Sequence, residues 1–470
     1  MKRNIFKVIS VVIAVTMLFS VLQISSVAAT TYDITNPYES VTNLLGKDKN
    51  HYKTNLHTHS TYSDAYIDLG AMVKEHYYQD FDILAMSDHG VIGVPWNEQP
   101  TLIPLYQYNH VLLNEQSHLS DEEFEQILDG SYTDEYSRRT VSNGMECVTG
   151  AIEGNMLVAQ KNHINGYFMT DDRTEGVWGD EGDFETMIGM IEAAGGISHI
   201  NHPGDWLGSA NGELVYDENG DVMLTPNGDE MTKGYQIATD PGNVQFFAKA
   251  FRKYSSCLGI EVYNSYDRPT KNDRVLWDEL LKVVIPEGRN VWGFANNDAH
   301  CIEDVDTAFM DFILPEYSDA NLRTAMENGA FFAVSRYDAG DRIGTGSDYP
   351  TVTSITVDDD NDTITIIGKN TDSIKWIADG VTIQTDSVSV GGVVKSTIKL
   401  LNYTDDISCY VRAELNGEGG TTLTQAFVCD DGNMDDLVNR GAYNPAPVDF
   451  ITVLRSFLKM IFRSLFSIMA

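Results

Sequence analysis

The sequence predicts an α/β protein in which a large parallel sheet or barrel precedes a small all-β sandwich domain and a C-terminal amphipathic helix. From residue 51 onward, β-like runs alternate with helical patterns, which is typical of parallel α/β folds. Polar residues of the metal-ligand types follow several of the apolar runs, as at the rim of a parallel barrel. Residues 351–430 alternate with period 2, which indicates strands with one buried face.

The N-terminal residues 1–29 are predicted to be a bacterial-type secretory signal peptide. Lys2 and Arg3 begin a basic start, an apolar run covers residues 8–22, and a small-residue cleavage region lies near Ala29. An uncleaved membrane anchor is the alternative. We therefore expect a secreted or cell-surface protein.

The formal net charge of −37 is large for a chain of 470 residues. Such an acidic surface disfavours unaided binding to nucleic acid or to anionic lipid, so no stable nucleic-acid binding is expected. Five cysteines are few for an exported disulfide scaffold. Cys409 and Cys429 lie in the β-rich C-terminal region, where a cross-strand disulfide is one alternative.

The predicted large domain covers residues 51–335. Its helices have apolar residues at helical spacing and lead into strands; they are predicted over 69–78, 184–194, 275–284 and, near the end of the domain, within 320–333. Residues 31–50 are polar and predict a surface lead-in. Residues 336–350 are rich in Gly and Asp and predict a linker, and residues 351–432 predict an Ig-like β-sandwich.

Two insertions, residues 91–145 and 204–245, interrupt the alternation, and either is a candidate lid over a site. The second contains a hairpin around Asn219 and Gly220; a calcium loop is the alternative, but the full ligand spacing is missing. In the C-terminal residues 451–470, basic residues recur every four positions among apolar ones. This pattern predicts a helix in a membrane interface, and the alternatives are docking on the acidic protein surface or an oligomer contact.

Histidine and carboxylate residues recur where apolar runs end. His57 and His59 are two residues apart after an apolar-flanked run, so their side chains point to the same side if the run is a strand. Seven of the 11 histidines lie in such places: His57, His59, His89, His163, His199, His202 and His300. Imidazole and carboxylate ligands together suit zinc, manganese or iron better than calcium.

This order of motifs resembles the PHP family (polymerase and histidinol phosphatase domain), whose members are metal-dependent hydrolases on a distorted (β/α)7 barrel. The resemblance covers residues 51–335. It depends on five separated motifs that follow His57-Thr58-His59 and contain Asp88-His89, Glu153, Asn162-His163, His199-Ile200-Asn201-His202 and Asp298-Ala299-His300. Residues 351–432 are similar, more weakly, to the C-terminal domain of exported PHP metallohydrolases. The resemblance implies two or three divalent metal ions.

The ligand sets that the resemblance implies are as follows. The first metal would be bound by His57, His59, Glu153 and Asp298. Glu153 would bridge to a second metal that is completed by His163 and His202. A third metal would be bound by Asp64, His89 and His300; some family members have His where this chain has Asp64. His199, Asp88 and Asn297 are candidates for orienting these ligands.

The predicted function is metal-dependent hydrolysis of a phosphomonoester, a nucleotide or an oligonucleotide, with a metal-bridging hydroxide as the nucleophile. Glu153, Asp298 and Asp64 are the predicted catalytic residues, and Arg268 and Lys161 are candidates for binding phosphate. No serine-nucleophile elbow, Gly-rich phosphate loop or nicotinamide fingerprint occurs in the sequence. The alternatives are a metal-dependent carboxylic or carbamate ester hydrolase and a non-catalytic cell-surface binding protein.

Overall fold

The computed structural model describes residues 31–104, 107–156, 161–170, 184–207, 212–268, 271–344 and 348–434. The predicted signal peptide (1–29) and the predicted C-terminal helix (451–470) lie outside the described residues. Among the helices of the described ranges, none has both the length and the apolar character needed to cross a membrane.

The described part of the chain contains nine α-helices and 22 β-strands. The helices are α1 (Leu69–Tyr78), α2 (Tyr108–Leu113), α3 (Asp121–Asp129), α4 (Phe184–Ala193), α5 (Pro203–Leu207), α6 (Lys233–Ala238), α7 (Pro241–Lys253), α8 (Asp273–Val284) and α9 (Asp319–Asn328). The strands of the first part are β1 (Asp33–Thr35), β2 (His51–Asn55), β3 (Ile83–Ala85), β4 (Glu146–Val148), β5 (Ile152–Met156), β6 (Lys161–Tyr167), β7 (Ile197–Ile200), β8 (Cys257–Asn264), β9 (Trp292–Asn296), β10 (Ala308–Ile313) and β11 (Phe331–Ser335). The remaining strands are β12 (Tyr337–Asp338), β13 (Asp341–Arg342), β14 (Thr351–Asp358), β15 (Thr363–Lys369), β16 (Ser373–Ala378), β17 (Val381–Asp386), β18 (Ser389–Val390), β19 (Val393–Lys399), β20 (Tyr410–Gly417), β21 (Gly420–Leu423) and β22 (Phe427–Asp430).

The helices begin and end where the sequence provides caps. The Asp68 side chain accepts a hydrogen bond from the Ala71 N–H at the start of α1. Helix α3 begins with a capping box between Ser120 and Glu123. Helix α4 ends just before Gly195, whose φ of +80° lies in the left-handed region that terminates helices. These local signals explain why the predicted helices of the large domain agree closely with the observed ones.

Two sheets form the large domain. In the first, β2, β3 and β4 are parallel, and β2 also pairs antiparallel with β10, which pairs with β11. In the second, β5, β6 and β7 are antiparallel neighbours, and β7, β8 and β9 are parallel. The chain is therefore α/β as predicted, with more antiparallel pairing than the sequence indicates.

Isolated bridges connect the ends of these two sheets. His89, after β3, forms a parallel bridge with Glu153 in β5, and Thr58, after β2, forms one with Ala299, after β9. The Glu153 N–H also donates to the Ser87 carbonyl at 3.0 Å. The sheets that the described strands form are not closed, so the distorted (β/α)7 barrel stays a prediction.

The C-terminal strands form two sheets that pack around one core. One contains β14, β15, β19 and β18, and the other, formed by β16, β17, β20, β21 and β22, continues the first sheet of the large domain through β11. Alternate residues of β15 and β19 are buried, as the period-2 pattern predicts. Trp376 is fully buried between the sheets, and its Nε1–H donates to the Ser396 hydroxyl at 2.7 Å.

The structure corrects one prediction for the N-terminal segment and refines two others. Residues 31–50, predicted as a surface lead-in, add strand β1 to β22 and bury Tyr38, which stacks on Phe332 with ring centroids 4.6 Å apart. The segment looks polar because its few apolar side chains are widely spaced. The predicted linker 336–350 contains the hairpin β12–β13. Cys409 and Cys429 are not joined by a disulfide, although the Cys429 N–H donates a hydrogen bond to the Cys409 carbonyl.

The two insertions have different positions. In the first, the Thr61 hydroxyl donates to the Glu115 carbonyl at 2.8 Å, so the insertion lies against the loop after His59. In the second, the predicted hairpin around Asn219 and Gly220 is present. A following hairpin bonds to the sandwich, because the Asn227 amide donates to the Gly380 carbonyl at 2.9 Å. The first insertion therefore contacts a loop that carries predicted ligands.

Candidate metal centre

The nine side chains predicted as ligands lie together at the ends of the strands, and we call them the metal centre. They come from the loop after β2, the loop after β3, β5, β6, the start of α5 and the loop after β9. His57 Nε2 and His59 Nε2 lie 3.3 and 3.1 Å from Glu153 Oε2, and 3.2 and 3.0 Å from Asp298 Oδ1. The side chains of His57, His59 and Glu153 are fully buried.

Glu153 directs its two carboxylate oxygens toward different groups of histidines. Oε2 faces His57 and His59 and also lies 3.0 Å from His89 Nδ1. Oε1 lies 2.9 Å from His163 Nδ1 and 3.5 Å from His202 Nε2. A carboxylate divided in this way is suited to bridging two cations.

Asp64 forms the open side of the metal centre. Its carboxylate lies 3.2 Å from His300 Nε2, 3.6 Å from His89 Nε2 and 3.9 Å from His59 Nδ1. The Asp64 side chain is 50% exposed and that of His300 is 31% exposed, whereas His59 is fully buried. A substrate therefore reaches the metal centre most easily at the Asp64 edge.

The ligand atoms form four groups in which each atom lies within 4.8 Å of the others. They are His57, His59 and Asp298; His57, Glu153 and His202; His89, Glu153 and His163; and His59, Asp64, His89 and His300. The first group contains three of the four residues of the first predicted ligand set, without Glu153, and the fourth group contains the third predicted set with His59 added. The predicted second set is divided, because His163 and His202 fall into different groups around Glu153.

Two of the ligands have unusual backbone conformations. Asp298 has a φ of +48° and His202 a φ of +22°, both in the left-handed region that residues with a Cβ seldom adopt. Such conformations cost about 1–3 kcal/mol each and persist only where the surrounding structure holds them. Here they direct side chains from the ends of β7 and β9 into one cluster.

Opposite charges around the metal centre shift the pKa values of its members. Burial alone would raise the pKa of Glu153, but His89 and His163 hold it well below its ordinary value. Burial alone would lower the pKa of His57, but Asp298 and other carboxylates raise it well above its ordinary value. The same competition raises the pKa of His89 to about 9. The carboxylates are thus ionised, and their field favours a cation at this position.

The residues fit divalent metal ions. Several buried ligand atoms have no hydrogen-bond partner in the described part of the chain: His57 Nε2, His59 Nε2, both ring nitrogens of His163, Glu153 Oε2 and Asp298 Oδ1. Buried polar atoms of this kind are costly unless something binds them. Since imidazole nitrogens and carboxylate oxygens both contribute, the donor set suits zinc, manganese or iron.

Sequence analysis missed Glu261, which lies in β8 and is fully buried next to the metal centre. Its Oε1 lies 2.7 Å from His57 Nδ1. Asn201, also missed, donates from its amide to Glu153 Oε1 at 2.7 Å. The available signal for Glu261 was a single acidic residue inside the apolar run of β8, because an unpaired carboxylate is rarely buried in a strand.

The other predicted supporting residues have mixed outcomes. His199 Nε2 lies 3.4 Å from Glu261 Oε1, so it contacts the group that holds His57. Asp88 accepts hydrogen bonds from Ser60 and Ser63 and contacts the loop after His59 instead of an imidazole. Asn297 donates to His76, which is outside the metal centre. Of the two candidates for binding phosphate, Arg268 packs over Gly340, and the side chain of Lys161 is outside the described part.

A scan against protein-family models and a search of curated proteins give no match to this chain.

Several solved structures are similar. A two-domain protein from Bacteroides vulgatus, described as containing a predicted PHP-like metal-dependent phosphoesterase, is 14% identical, with a TM-score of 0.38 over 80% of this chain and 95% of its own. PsfC from Pseudomonas syringae is 13% identical, with a TM-score of 0.30 over 59% of this chain and 88% of its own. The lesion-specific endonuclease PfuEndoQ from Pyrococcus furiosus is 12% identical, with a TM-score of 0.31 over 59% of this chain and 56% of its own. Identities and TM-scores this low do not establish a shared function.

Proposed function

We propose that this chain is a metal-dependent hydrolase of the PHP type that acts on phosphate esters. The observation that supports the proposal most directly is Glu153, whose two buried oxygens face separate groups of histidines. Six segments distant in sequence supply the nine ligands, and burial leaves several ligand atoms without a hydrogen bond in the described residues. Such an arrangement costs stability unless cations bind there, which is the physical argument for a metal centre.

The chain's own residues would bind two or three divalent cations. His57, His59, Glu153 and Asp298 surround one position, and Glu153 extends to a second through His163 and His202. When bound, the cations would supply Lewis acidity that activates water and neutralises phosphoryl oxygens, and the bridging hydroxide predicted from the sequence is part of this proposal. Asp64 and His300 would hold the third cation where the metal centre is open.

The charge of the chain bears on the proposed substrate class. The chain has a formal net charge of −37, so it has little positive surface to attract a phosphate ester. Cations at the metal centre would provide that charge where the reaction occurs. The exposed Asp64 edge leaves room for the rest of the substrate, which is consistent with a phosphomonoester, a nucleotide or a short oligonucleotide.

We also propose that the protein is exported, on the basis of the signal peptide predicted in residues 1–29. The predicted contact of residues 451–470 with a membrane surface belongs to the same proposal. Cell fractionation of the full-length chain tests both: the mature protein is expected outside the cytoplasm, and a variant without residues 451–470 is expected to leave the membrane fraction.

The function is tested with three substrates that share one chromogenic leaving group: a phosphomonoester, a phosphodiester and a carboxyl ester of p-nitrophenol. The mature chain is compared with Glu153→Gln and Asp298→Asn, and with Glu316→Gln as a control at an exposed position. Metal-dependent phosphoester turnover that falls at least a thousandfold in both ligand variants, and is unchanged in the control, is the expected result.

Other outcomes contradict the proposal in different ways. Cleavage of the carboxyl ester alone would support the alternative ester hydrolase. Bound metal with no turnover of any of the three esters would argue against a phosphoesterase of this substrate range. A wild-type protein without bound metal after purification and metal addition would remove the basis of the proposal.

A further inference from the structure

Glu261 contacts the metal centre from behind. It lies in the interior of β8 and is fully buried. Its Oε1 accepts hydrogen bonds from His57 Nδ1 at 2.7 Å and from the Asn296 amide at 2.9 Å. Its Oε2 accepts from the His202 backbone N–H and from the Asn264 amide, both at 3.0 Å. Both oxygens of this carboxylate are therefore fully used within the protein.

These contacts connect Glu261 to ligands from three separate strand ends. His57 follows β2, and its ring is bound directly. His202 follows β7, and its backbone is bound. Asn264 donates to Asp298 Oδ2 at 3.2 Å as well as to Glu261, so the carboxylate also reaches the ligand that follows β9.

The contact with His57 determines which ring nitrogen is available. When Nδ1 carries the proton and donates it to Glu261, Nε2 is left with its lone pair. That Nε2 is the nitrogen that faces Glu153 and Asp298, and it has no hydrogen-bond partner among the described residues. A carboxylate bonded to the distal nitrogen of a ligating histidine fixes its orientation and increases its basicity.

The contact with His202 supports an unfavourable backbone conformation. The φ of +22° at His202 is costly for a residue with a Cβ. A charged acceptor on its backbone N–H stabilises this conformation more than a neutral acceptor does. The position of the His202 side chain therefore depends on Glu261 as well.

We infer that Glu261 is a positioning residue that holds His57, His202 and Asp298 in the arrangement that binds metal, and this inference rests on the proposed metal centre. Glu261 lies behind His57, on the side opposite to the Glu153 and Asp298 oxygens. It acts on the cations through the three ligands that it holds.

Replacing Glu261 with Gln tests the inference, because the two side chains have the same shape. The amide of Gln has one accepting oxygen, so it can accept a hydrogen bond from either His57 or the N–H of His202. Its NH2 group then faces the other of these two donors and cannot accept from it. We expect zinc affinity, measured by competition with a chromogenic chelator, to fall about ten- to a hundredfold in Glu261→Gln.

A matched control exists in the same part of the chain. Asp311 is a buried carboxylate that lies 2.8 Å from Nδ1 of His51, but neither residue contacts the metal centre. Asp311→Asn should lower the melting temperature and leave zinc affinity unchanged. Wild-type zinc affinity in Glu261→Gln would overturn the inference, as would an equal loss of affinity in Asp311→Asn.

A second measurement reads the protonation of His57 in the wild-type protein, and a variant serves only to assign the signal. In ¹⁵N-histidine NMR spectra of the zinc-loaded chain, His57 is assigned by the signal that disappears in His57→Gln. We expect its Nδ1 to carry the proton and Nε2 to be unprotonated. An Nδ1 without a proton would show that Glu261 does not receive a hydrogen bond from His57, and the inference would be wrong.

These readouts separate the inference from the proposed function, because neither uses a substrate. Weaker zinc binding in Glu261→Gln without phosphoester turnover in the wild type supports the positioning role and contradicts the phosphoesterase proposal. Turnover in the wild type together with unchanged zinc affinity in Glu261→Gln contradicts the positioning role alone.

Discussion

Exposure differs widely among the nine side chains of the metal centre. Asp64 is half exposed, whereas His57, His59 and Glu153 are fully buried. A buried ligand holds a cation away from water, and an exposed one leaves room for exchange with solvent and for a substrate. The cation near Asp64 is therefore expected to be the most loosely bound.

Asp64 provides the first prediction at the residue scale. Asp64→Asn removes the one carboxylate from the group that also contains His59, His89 and His300. Without that negative charge, we expect the protein to retain one metal ion fewer after dialysis. The other ions should stay bound, because His59 and His89 still face the carboxylate of Glu153. Metal content measured by mass spectrometry checks this.

The control for this prediction is Asp359→Asn, which changes an exposed carboxylate in the turn between β14 and β15. It should leave the metal content unchanged. If Asp64→Asn retains the full metal content at the same affinity, Asp64 is not a ligand, and the third predicted ligand set is wrong.

At the scale of elements, β8 supports the metal centre in two ways. It carries Glu261, and it lies directly beside β9, the strand that leads to Asp298. The close approach of the two strands depends on Gly259, because a Cβ there would overlap the backbone of Trp292. Backbone atoms of a paired strand cannot rotate away as a flexible side chain can.

The prediction for this element is that Gly259→Ala destabilises the protein and weakens metal binding together. To accommodate the methyl group, β8 and β9 must separate, which should reduce the free energy of unfolding by about 2 kcal/mol or more. Chemical denaturation and zinc titration measure the two effects.

The matched control is Gly212→Ala, since a Cβ at that exposed glycine meets no described residue within 4 Å. Its stability should lie within about 0.5 kcal/mol of the wild type. Equal stability of Gly259→Ala and the wild type would show that the β8–β9 spacing does not depend on glycine.

At the scale of the whole molecule, the large domain and the sandwich share one sheet. Strand β11 pairs antiparallel with β21, so the first sheet continues across the predicted linker. A buried ion pair adds to this contact: Arg412 in β20 donates from Nε and Nη2 to the two oxygens of Asp278 in α8, both at 2.7 Å. Tyr410 also donates its hydroxyl proton to Asp278 at 2.7 Å.

The prediction at this scale is that Asp278→Ala strongly destabilises both parts at once. The change leaves the guanidinium of Arg412 buried without its counter-charge, which costs about 3–5 kcal/mol. Because the parts share a sheet, calorimetry should show one transition at a lower temperature.

Lys233→Ala is the comparison for an exposed ion pair, since Lys233 binds Glu213 at the surface. It should cost at most about 1 kcal/mol. Two separate transitions in Asp278→Ala, with the second near the wild-type temperature, would show that the large domain and the sandwich unfold independently.

The sequence predicted the local elements and the nine candidate ligands, whose side chains the structure brings together. Helix α1 was predicted with its observed bounds because apolar spacing and its Asp68 cap are local properties. His57 and His59 were found because the two-residue spacing after a strand directs both side chains to one side. The resemblance to the PHP family connected them to Glu153 and Asp298, which lie far away in sequence.

Only the tertiary structure shows the contacts that depend on strand pairing between distant segments. Glu261 is recognised only when β8 lies beside β9, because its five acceptor contacts involve residues up to 204 positions away. The pairing of β1 depends in the same way on β22, almost 400 residues later. Periodicity specifies which face of a strand is apolar. Which strands become neighbours depends on packing between residues far apart in sequence, and no single segment of the sequence determines that packing.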